Sequence, residues 1–290
     1  MTSETSQSLS KITKNILNQY GIKLNKNLGQ NYLIDKNKRD QIINFGNIEK
    51  DDVILEIGTG IGTLTIELAK KAKKVIAIEQ DKKICEILAK RLKDEKIDNV
   101  ELINDDALNV EFPKFNKIIS NLPYQISSPI TFKFLDYDFD LAILMYQKEF
   151  AERMNGEVGT KNYSRLSAML YFKCNVEKLT DVSSESFIPK PEIDSTVVRL
   201  TPKENKIPPE DFKIYSNFTK ALFQHRNKKI RNALIDSRHI ITTLDKKEMK
   251  KRMNEIESEQ LEEYLKKRVV VVSPEEILSL SKQLNSILND

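Results

Sequence analysis

The tetrapeptide Asn121-Leu122-Pro123-Tyr124 combines the residue types needed to act on a weakly nucleophilic aromatic amine. The lone pair of such an amine, on adenine or cytosine, is delocalised into the ring. Moving a methyl group to it from a sulfonium needs alignment, together with acceptors for the positive charge that develops on nitrogen. The Asn121 side-chain oxygen and the Leu122 carbonyl, held by Pro123, are both suited to accept from the amine. Tyr124 offers a ring face on which a flipped base can stack, worth about 1–3 kcal/mol per base. This chemistry requires neither a metal nor a strong base, and the sequence supplies no obvious set for either. Out of context, the same four residues describe an Asn-initiated turn with a packed tyrosine. Their position in the chain separates the two readings.

The motif sits at the end of the fourth of five short apolar runs. Val53–Ile57 is the first and reads as a strand buried on both faces of a parallel sheet. Gly58, Gly60 and Gly62 follow it, then an amphipathic helix predicted over 63–72. Glycine serves a turn of positive φ and lets a ligand approach the backbone. The spacing differs from the dinucleotide pattern G-x-G-x-x-G, because Thr63 holds the later place, so pyrophosphate cradling is disfavoured. Val75–Ile78 is the second run and ends in Glu79, where a carboxylate can bind a ribose diol. A third strand, Val100–Ile103, ends in Asn104-Asp105-Asp106-Ala107-Leu108, where an acid can accept from an adenine amine. Lys117–Ser120 then delivers Asn121 to the carboxyl edge of the sheet, where ligands bind in open α/β folds. A fifth strand is predicted over 141–146 and a helix over 163–170. Two further strands, over 171–179 and 195–200, are joined by Phe187-Ile188-Pro189-Lys190-Pro191-Glu192, whose prolines hold Phe187 in a fixed position.

Charged residues make up 31% of the 290-residue chain and hydrophobic ones 39%, as in soluble globular proteins. Acid and base balance over residues 1–200, so the net charge of +4 arises wholly beyond them. Cys85 and Cys174 lack metal-ligand spacing, His225 and His239 are the only histidines, and no metal is expected. No apolar stretch is long enough to span a membrane and the N-terminus is polar, which points to a cytoplasmic protein. Residues 1–8 read as a disordered leader, 9–20 as a short helix, and the arm around Lys11, Lys14, Lys23, Lys26, Lys36, Lys38 and Arg39 as basic. The pattern changes after Thr201-Pro202, and all that follows reads as helices. The last of these opens with Ser273, Pro274 and Glu276, a capping box.

Glu56-x-Gly58-x-Gly60-x-Gly62 with Glu79 resembles the S-adenosylmethionine-dependent methyltransferases. Asn27–Asp35, Glu56–Gly62, Asn121–Tyr124, Phe187–Ser195 and His225–Asn232 occur in order, and together resemble the ribosomal RNA adenine N6,N6-dimethyltransferases over residues 9–280. That resemblance implies an α/β fold: a Rossmann-like, seven-stranded class I methyltransferase sheet with an antiparallel hairpin at one edge (residues 9–202) and a small all-α C-terminal domain (203–290). It implies S-adenosylmethionine as cofactor and dimethylation of two adjacent adenosines near the 3′ end of small-subunit ribosomal RNA. The expected partner is that RNA or the assembling small subunit, approached by a monomer. Carried over residue by residue, Asn31 and Leu33 line the cofactor pocket and Gly58 admits the methionine end. Glu79 holds the ribose, Asp106 the adenine amine, and Asn121 meets cofactor and target. Leu122 and Pro123 complete the amine site, and Tyr124 and Phe187 sandwich the target base. Thr59 stands where the family commonly has proline, and Asp105 where it usually has glycine, so the choice of Asp106 over Asp105 rests on Ala107-Leu108 following it. In this family context Arg226, Lys228 and Arg231 are expected to contact phosphates. The competing readings are an antibiotic-resistance methyltransferase of large-subunit ribosomal RNA and a non-catalytic ribosome-assembly factor.

Overall fold

Each apolar run becomes a strand because alternate residues have no polar face to turn to solvent. A computed structural model of the chain describes residues 8–22, 31–204 and 207–289. The leader 1–7, the Asn27–Gln30 half of the first family motif, Lys23, Lys26 and two linker residues after Glu204 lie outside the described residues. In chain order the first elements are α1 (Leu9–Gln19), β1 (Tyr32–Leu33), α2 (Lys36–Phe45), β2 (Val53–Ile57), α3 (Thr65–Ala69), β3 (Lys74–Ile78), α4 (Lys82–Asp94) and β4 (Val100–Ile103). There follow β5 (Lys117–Asn121), α5 (Ser127–Phe134), β6 (Leu141–Gln147), α6 (Lys148–Met154), α7 (Arg165–Lys173), β7 (Cys174–Val182), β8 (Phe187–Ile188) and β9 (Ser195–Pro202). The chain ends in α8 (Pro209–Phe223), α9 (Ile230–Asp236), α10 (Lys246–Asn254), α11 (Glu259–Lys266) and α12 (Pro274–Asn289).

Seven strands form one sheet in the order β4-β3-β2-β5-β6-β9-β7. The first five run parallel, and β9 is antiparallel to β6. From β2 the chain winds outward through β3 and β4, then returns to lay β5 against the other side of β2. The crevice between the carboxyl ends of β2 and β5 is therefore the topological switch point, the usual ligand site of such sheets. Ser120 fastens this junction by donating its hydroxyl to the Ile57 carbonyl at 2.6 Å. At the opposite end of the same strands, Asp52 and Lys117 form a buried ion pair at 2.8 Å, with Asn116 donating to the same carboxylate.

By its packing the chain divides into two units, one of residues 1–151 with 176–202 and one of 152–175 with 203–290. Sequence pattern places 152–175 with the sheet; in the structure it groups with the C-terminal helices. The cause is visible in α7, which buries Leu166, Met169 and Leu170. Tyr215 of α8 donates its hydroxyl to the Ala168 carbonyl, and Tyr163 donates to that of Val272. The strand predicted from Tyr171 begins instead at Cys174. At the start of α7 Ser164 N–H donates to the Ser167 hydroxyl, which donates to the Ser164 carbonyl, and the helix continues through the aromatic pair that mimics a strand.

Other boundaries differ for local reasons. The helix predicted over 63–72 shortens to Thr65–Ala69, because Gly62 at φ 88° holds the preceding segment in a turn. Ser8, placed in the leader by composition, is the N-cap of α1 and accepts from Lys11 N–H. Ser273 and Glu276 form the expected box, with Glu276 N–H on the Ser273 hydroxyl and Ser273 N–H on the Glu276 carboxylate. Among the described residues no helix is long and apolar enough to cross a membrane.

Candidate active site

Three glycines open the crevice. Gly58, Gly60 and Gly62 all have φ between 54° and 88°, the left-handed region. Gly58 has a second reason to lack a side chain. A Cβ there would lie 2.7 Å from Cγ of Pro123, so the two sequence motifs pack directly against each other. The side-chain position at Gly58 thus belongs to Pro123, while its N–H donates to the Ile78 carbonyl at 2.8 Å.

Glu79, at the end of β3, turns back toward this loop. One carboxylate oxygen accepts from Gly60 N–H and the other from Asp81 N–H, both at 2.9 Å. Burial raises its pKa, and those N–H groups oppose the shift. Asp105 and Asp106 follow β4, and both face the pocket. Asp106 accepts from Leu108 N–H and the Asn109 amide, while an Asp105 oxygen is taken by Asp106 N–H. Lys133 secures the loop from below, donating to the carbonyls of Ala107, Leu108 and Val110.

Asn121 closes the other side. Its amide nitrogen donates to the Asn31 carbonyl at 3.3 Å, an orientation that turns the side-chain oxygen away from that carbonyl. Asn31 and Leu33 face the same pocket, as do Leu122, Pro123 and Tyr124. The Pro123 carbonyl is engaged by Ile126 N–H in the short turn that carries Tyr124. The Tyr124 hydroxyl meets the Ser195 hydroxyl at 2.5 Å.

Phe187 is the predicted residue that the structure places elsewhere. It is 2% exposed and packs in the core with Leu33, Ile42, Ile43, Val182 and Val197. Pairing of β1 with β8 sets Leu33 opposite Phe187, and directly opposite residues share a face. Phe187 is thus paired with Leu33 and lies outside the residues that line the pocket. The predicted rigid connection is in part this short strand.

Glu56 and Tyr32 are pocket residues that the sequence pattern did not single out as site residues. Glu56 is 2% exposed, faces the pocket, and has an oxygen without a hydrogen-bond partner. Burial and the nearby Glu79 push its pKa up to about 8, against the opposing Thr65 hydroxyl. A signal existed: an acid in the otherwise apolar run Val53–Ile57. Tyr32 lays its ring against Gly60, where a Cβ would come within 3.0 Å of it.

The three residues expected to contact phosphates each have partners within the second unit. Arg226 donates to the carbonyls of Lys161 and Thr160, Lys228 pairs with Asp236, and Arg231 pairs with Glu262 and donates to Asn254. All three brace the second unit internally.

The family profile described as ribosomal RNA adenine dimethylase matches residues 21–273. A protein of Methanosphaera stadtmanae named as a probable ribosomal RNA small subunit methyltransferase A is 51% identical over 269 residues, covering 93% of this chain and 96% of that one. A protein of the same name from Methanothermobacter thermautotrophicus is 46% identical, covering 95% and 96%. Among solved structures, a dimethyladenosine transferase from Plasmodium falciparum superposes with a TM-score of 0.73 at 31% identity, covering 88% of this chain and 98% of that one. The 23S rRNA methyltransferase ErmE gives 0.62 at 25%, covering 90% and 100%.

Proposed function

The chain belongs to the ribosomal RNA adenine dimethylase family, and from that premise we propose that it dimethylates the N6 amines of two adjacent adenosines near the 3′ end of small-subunit ribosomal RNA. One observation supports this most: Asn121 and Tyr124 share a single pocket with Glu79, Asp106 and the glycine turn. Base-handling and cofactor-handling groups thereby meet at the switch point.

The residues present fit S-adenosylmethionine, which when bound supplies an electrophilic methyl group. Each Glu79 oxygen accepts one backbone N–H and keeps a lone pair for a ribose hydroxyl. Asp106, held at both oxygens, suits an exocyclic adenine amine better than Asp105, which is more exposed. The unpartnered Glu56 oxygen gives the pocket an acceptor for positive charge. With its amide nitrogen on Asn31, Asn121 presents oxygen to the target amine. The Leu122 carbonyl is the motif's second acceptor, since that of Pro123 is engaged. Tyr124, which lines the pocket, carries the stacking role.

Glu56 gives this reading a pH signature. Burial lets its carboxyl keep its proton up to about pH 8; a cationic cofactor would favour the carboxylate. Binding below that pH should release a proton, so affinity rises as pH approaches 8 and flattens above it. Calorimetry in buffers of different ionisation enthalpy is expected to show the release at pH 7 and its loss in Glu56→Gln. Equal proton counts for the two proteins would contradict the assignment.

RNA docking by the second unit is best sought on α10. Lys247, Lys250 and Lys251 are exposed and have no ion-pair partner among the described residues, whereas Met249 and Met253 anchor the buried face. Replacing the three lysines by glutamine should weaken binding to small subunits and reduce the slope of log K against log salt by roughly one for each phosphate no longer neutralised. Cofactor affinity should not move. An unchanged salt slope would place docking elsewhere.

The substrate itself is tested by offering the purified protein methyl-labelled cofactor with unmethylated small subunits or with large-subunit RNA. Label in adenosines of the small-subunit 3′ region is expected. Label confined to large-subunit RNA would favour the resistance-type activity, and none in either would favour an assembly role without catalysis.

A further inference from the structure

Within the proposed site, the stacking role makes a demand on Tyr124, the aromatic side chain of the motif that lines the pocket. A base is oriented only as well as the ring it stacks on is held. Tyr124 stands in a three-residue turn between the end of β5 and the start of α5. Its hydroxyl is bonded at 2.5 Å to Ser195, 71 residues away in the chain.

Ser195 is fully buried, and its surroundings are firmly tied. It opens β9 opposite Gln147, the last residue of β6. The preceding Asp194 accepts from Ser184 N–H through its carboxylate, and its carbonyl accepts from Lys148 N–H. The next residue, Thr196, donates its hydroxyl to Asp181, which also pairs with Lys148. A hydroxyl at this position is thus a fixed point of the sheet, offered to a residue carried on a short turn. Nor is it demanded by Tyr124's own burial alone. Phenylalanine would fill the same space without a partner, so the tyrosine and the serine make sense as a pair.

We propose that Ser195 is a positioning residue for methyl transfer: by holding the Tyr124 hydroxyl to the end of β9, it sets the plane of the ring on which the target adenine stacks. The proposal rests on the function proposed above. It predicts that the Tyr124 hydroxyl and the Ser195 hydroxyl contribute only through each other. The bond is worth what one buried hydrogen bond is worth, so its removal should lower kcat by about 3- to 10-fold.

The test is a double-mutant cycle of Tyr124→Phe and Ser195→Ala on small subunits. Each single variant should lose kcat by the stated factor with cofactor affinity unchanged, and the double variant should lose no more than either alone. A second readout avoids catalysis. The chain contains no tryptophan, so 2-aminopurine placed at the target position of the RNA can be followed without interference. Its quenching by stacking should be strong in the parent and equally reduced in all three variants. Additive losses, or parental quenching in Ser195→Ala, would overturn the proposal. If Ser195→Ala lowers cofactor affinity and the unfolding temperature along with kcat, the residue is structural and the proposal also fails. Absence of any methylation by the parent protein would instead refute the function on which it rests.

Discussion

Asn121→Ala is expected to lower methyl transfer by roughly 10²–10³-fold, the effect of removing a preorganised group aimed at charge that develops in the transition state. The amine hydrogens become more acidic as the methyl arrives, so the proposed bonds to the Asn121 oxygen and the Leu122 carbonyl would strengthen along the reaction. A loss in kcat rather than in cofactor affinity follows from that timing. Asn121→Asp sharpens the expectation. It keeps an acceptor but cannot donate to the Asn31 carbonyl, 3.3 Å from the amide nitrogen. Two oxygens would face each other there, the side chain would turn, and the loss should approach that of alanine. The two transfers should also respond differently. The unmodified amine has a hydrogen for each acceptor, whereas the monomethylated amine has one in all. Single-turnover kinetics on both substrates measures this; near-parental rates for Asn121→Asp would show that the Asn31 contact does not orient the amide.

Gly58→Ala is expected to abolish detectable activity by a different route. At φ 71° a Cβ is strained by about 1 kcal/mol or more. It would also meet the Pro123 ring at 2.7 and 2.8 Å, and a ring built into the backbone cannot swing aside as a long side chain does. Relief requires the ends of β2 and β5 to separate, which displaces Asn121 from the glycine turn. Cofactor affinity should fall more than tenfold, and the unfolding midpoint by several degrees, since about 1 kcal/mol corresponds to roughly 2–4 °C at this size. Gly159→Ala is the matched control. Its φ is 84°, but nothing lies within 4 Å of the added carbon. It should show the strain without the loss of binding. If both variants bind cofactor equally well, the packing of Pro123 on Gly58 carries no functional weight.

The five parallel strands were legible because they appear as short apolar runs, and residues at or just beyond the ends of four of them line the pocket: Gly58, Glu79, Asp106 and Asn121. Local chemistry sufficed to bring these segments to the sheet edge and to find the capping box at Ser273, while the choice of Asp106 over Asp105 came from the resemblance. What local pattern could not carry was partnership over distance. Nothing near Phe187 reveals that pairing with Leu33 turns it into the core. Nothing near Tyr124 points to Ser195, and nothing near Arg226 to the Lys161 carbonyl. The segment 152–175 failed for the same reason, since only Tyr215 and Val272, far along the chain, account for where it packs. Asn31 was placed in the pocket by resemblance alone; its bond to Asn121 gives that placement a physical purpose.

The central claim is that this pocket makes N6,N6-dimethyladenosine in small-subunit ribosomal RNA. Mass spectrometry of nuclease fragments from the 3′ region of that RNA, taken from cells with the intact gene, with its deletion and with Asn121→Ala, tests it most directly. Two adjacent dimethyladenosines are expected in the first, unmodified adenosines in the second, and unmodified or monomethylated adenosines in the third. A dimethylated pair persisting at the parental level with Asn121→Ala would contradict the account.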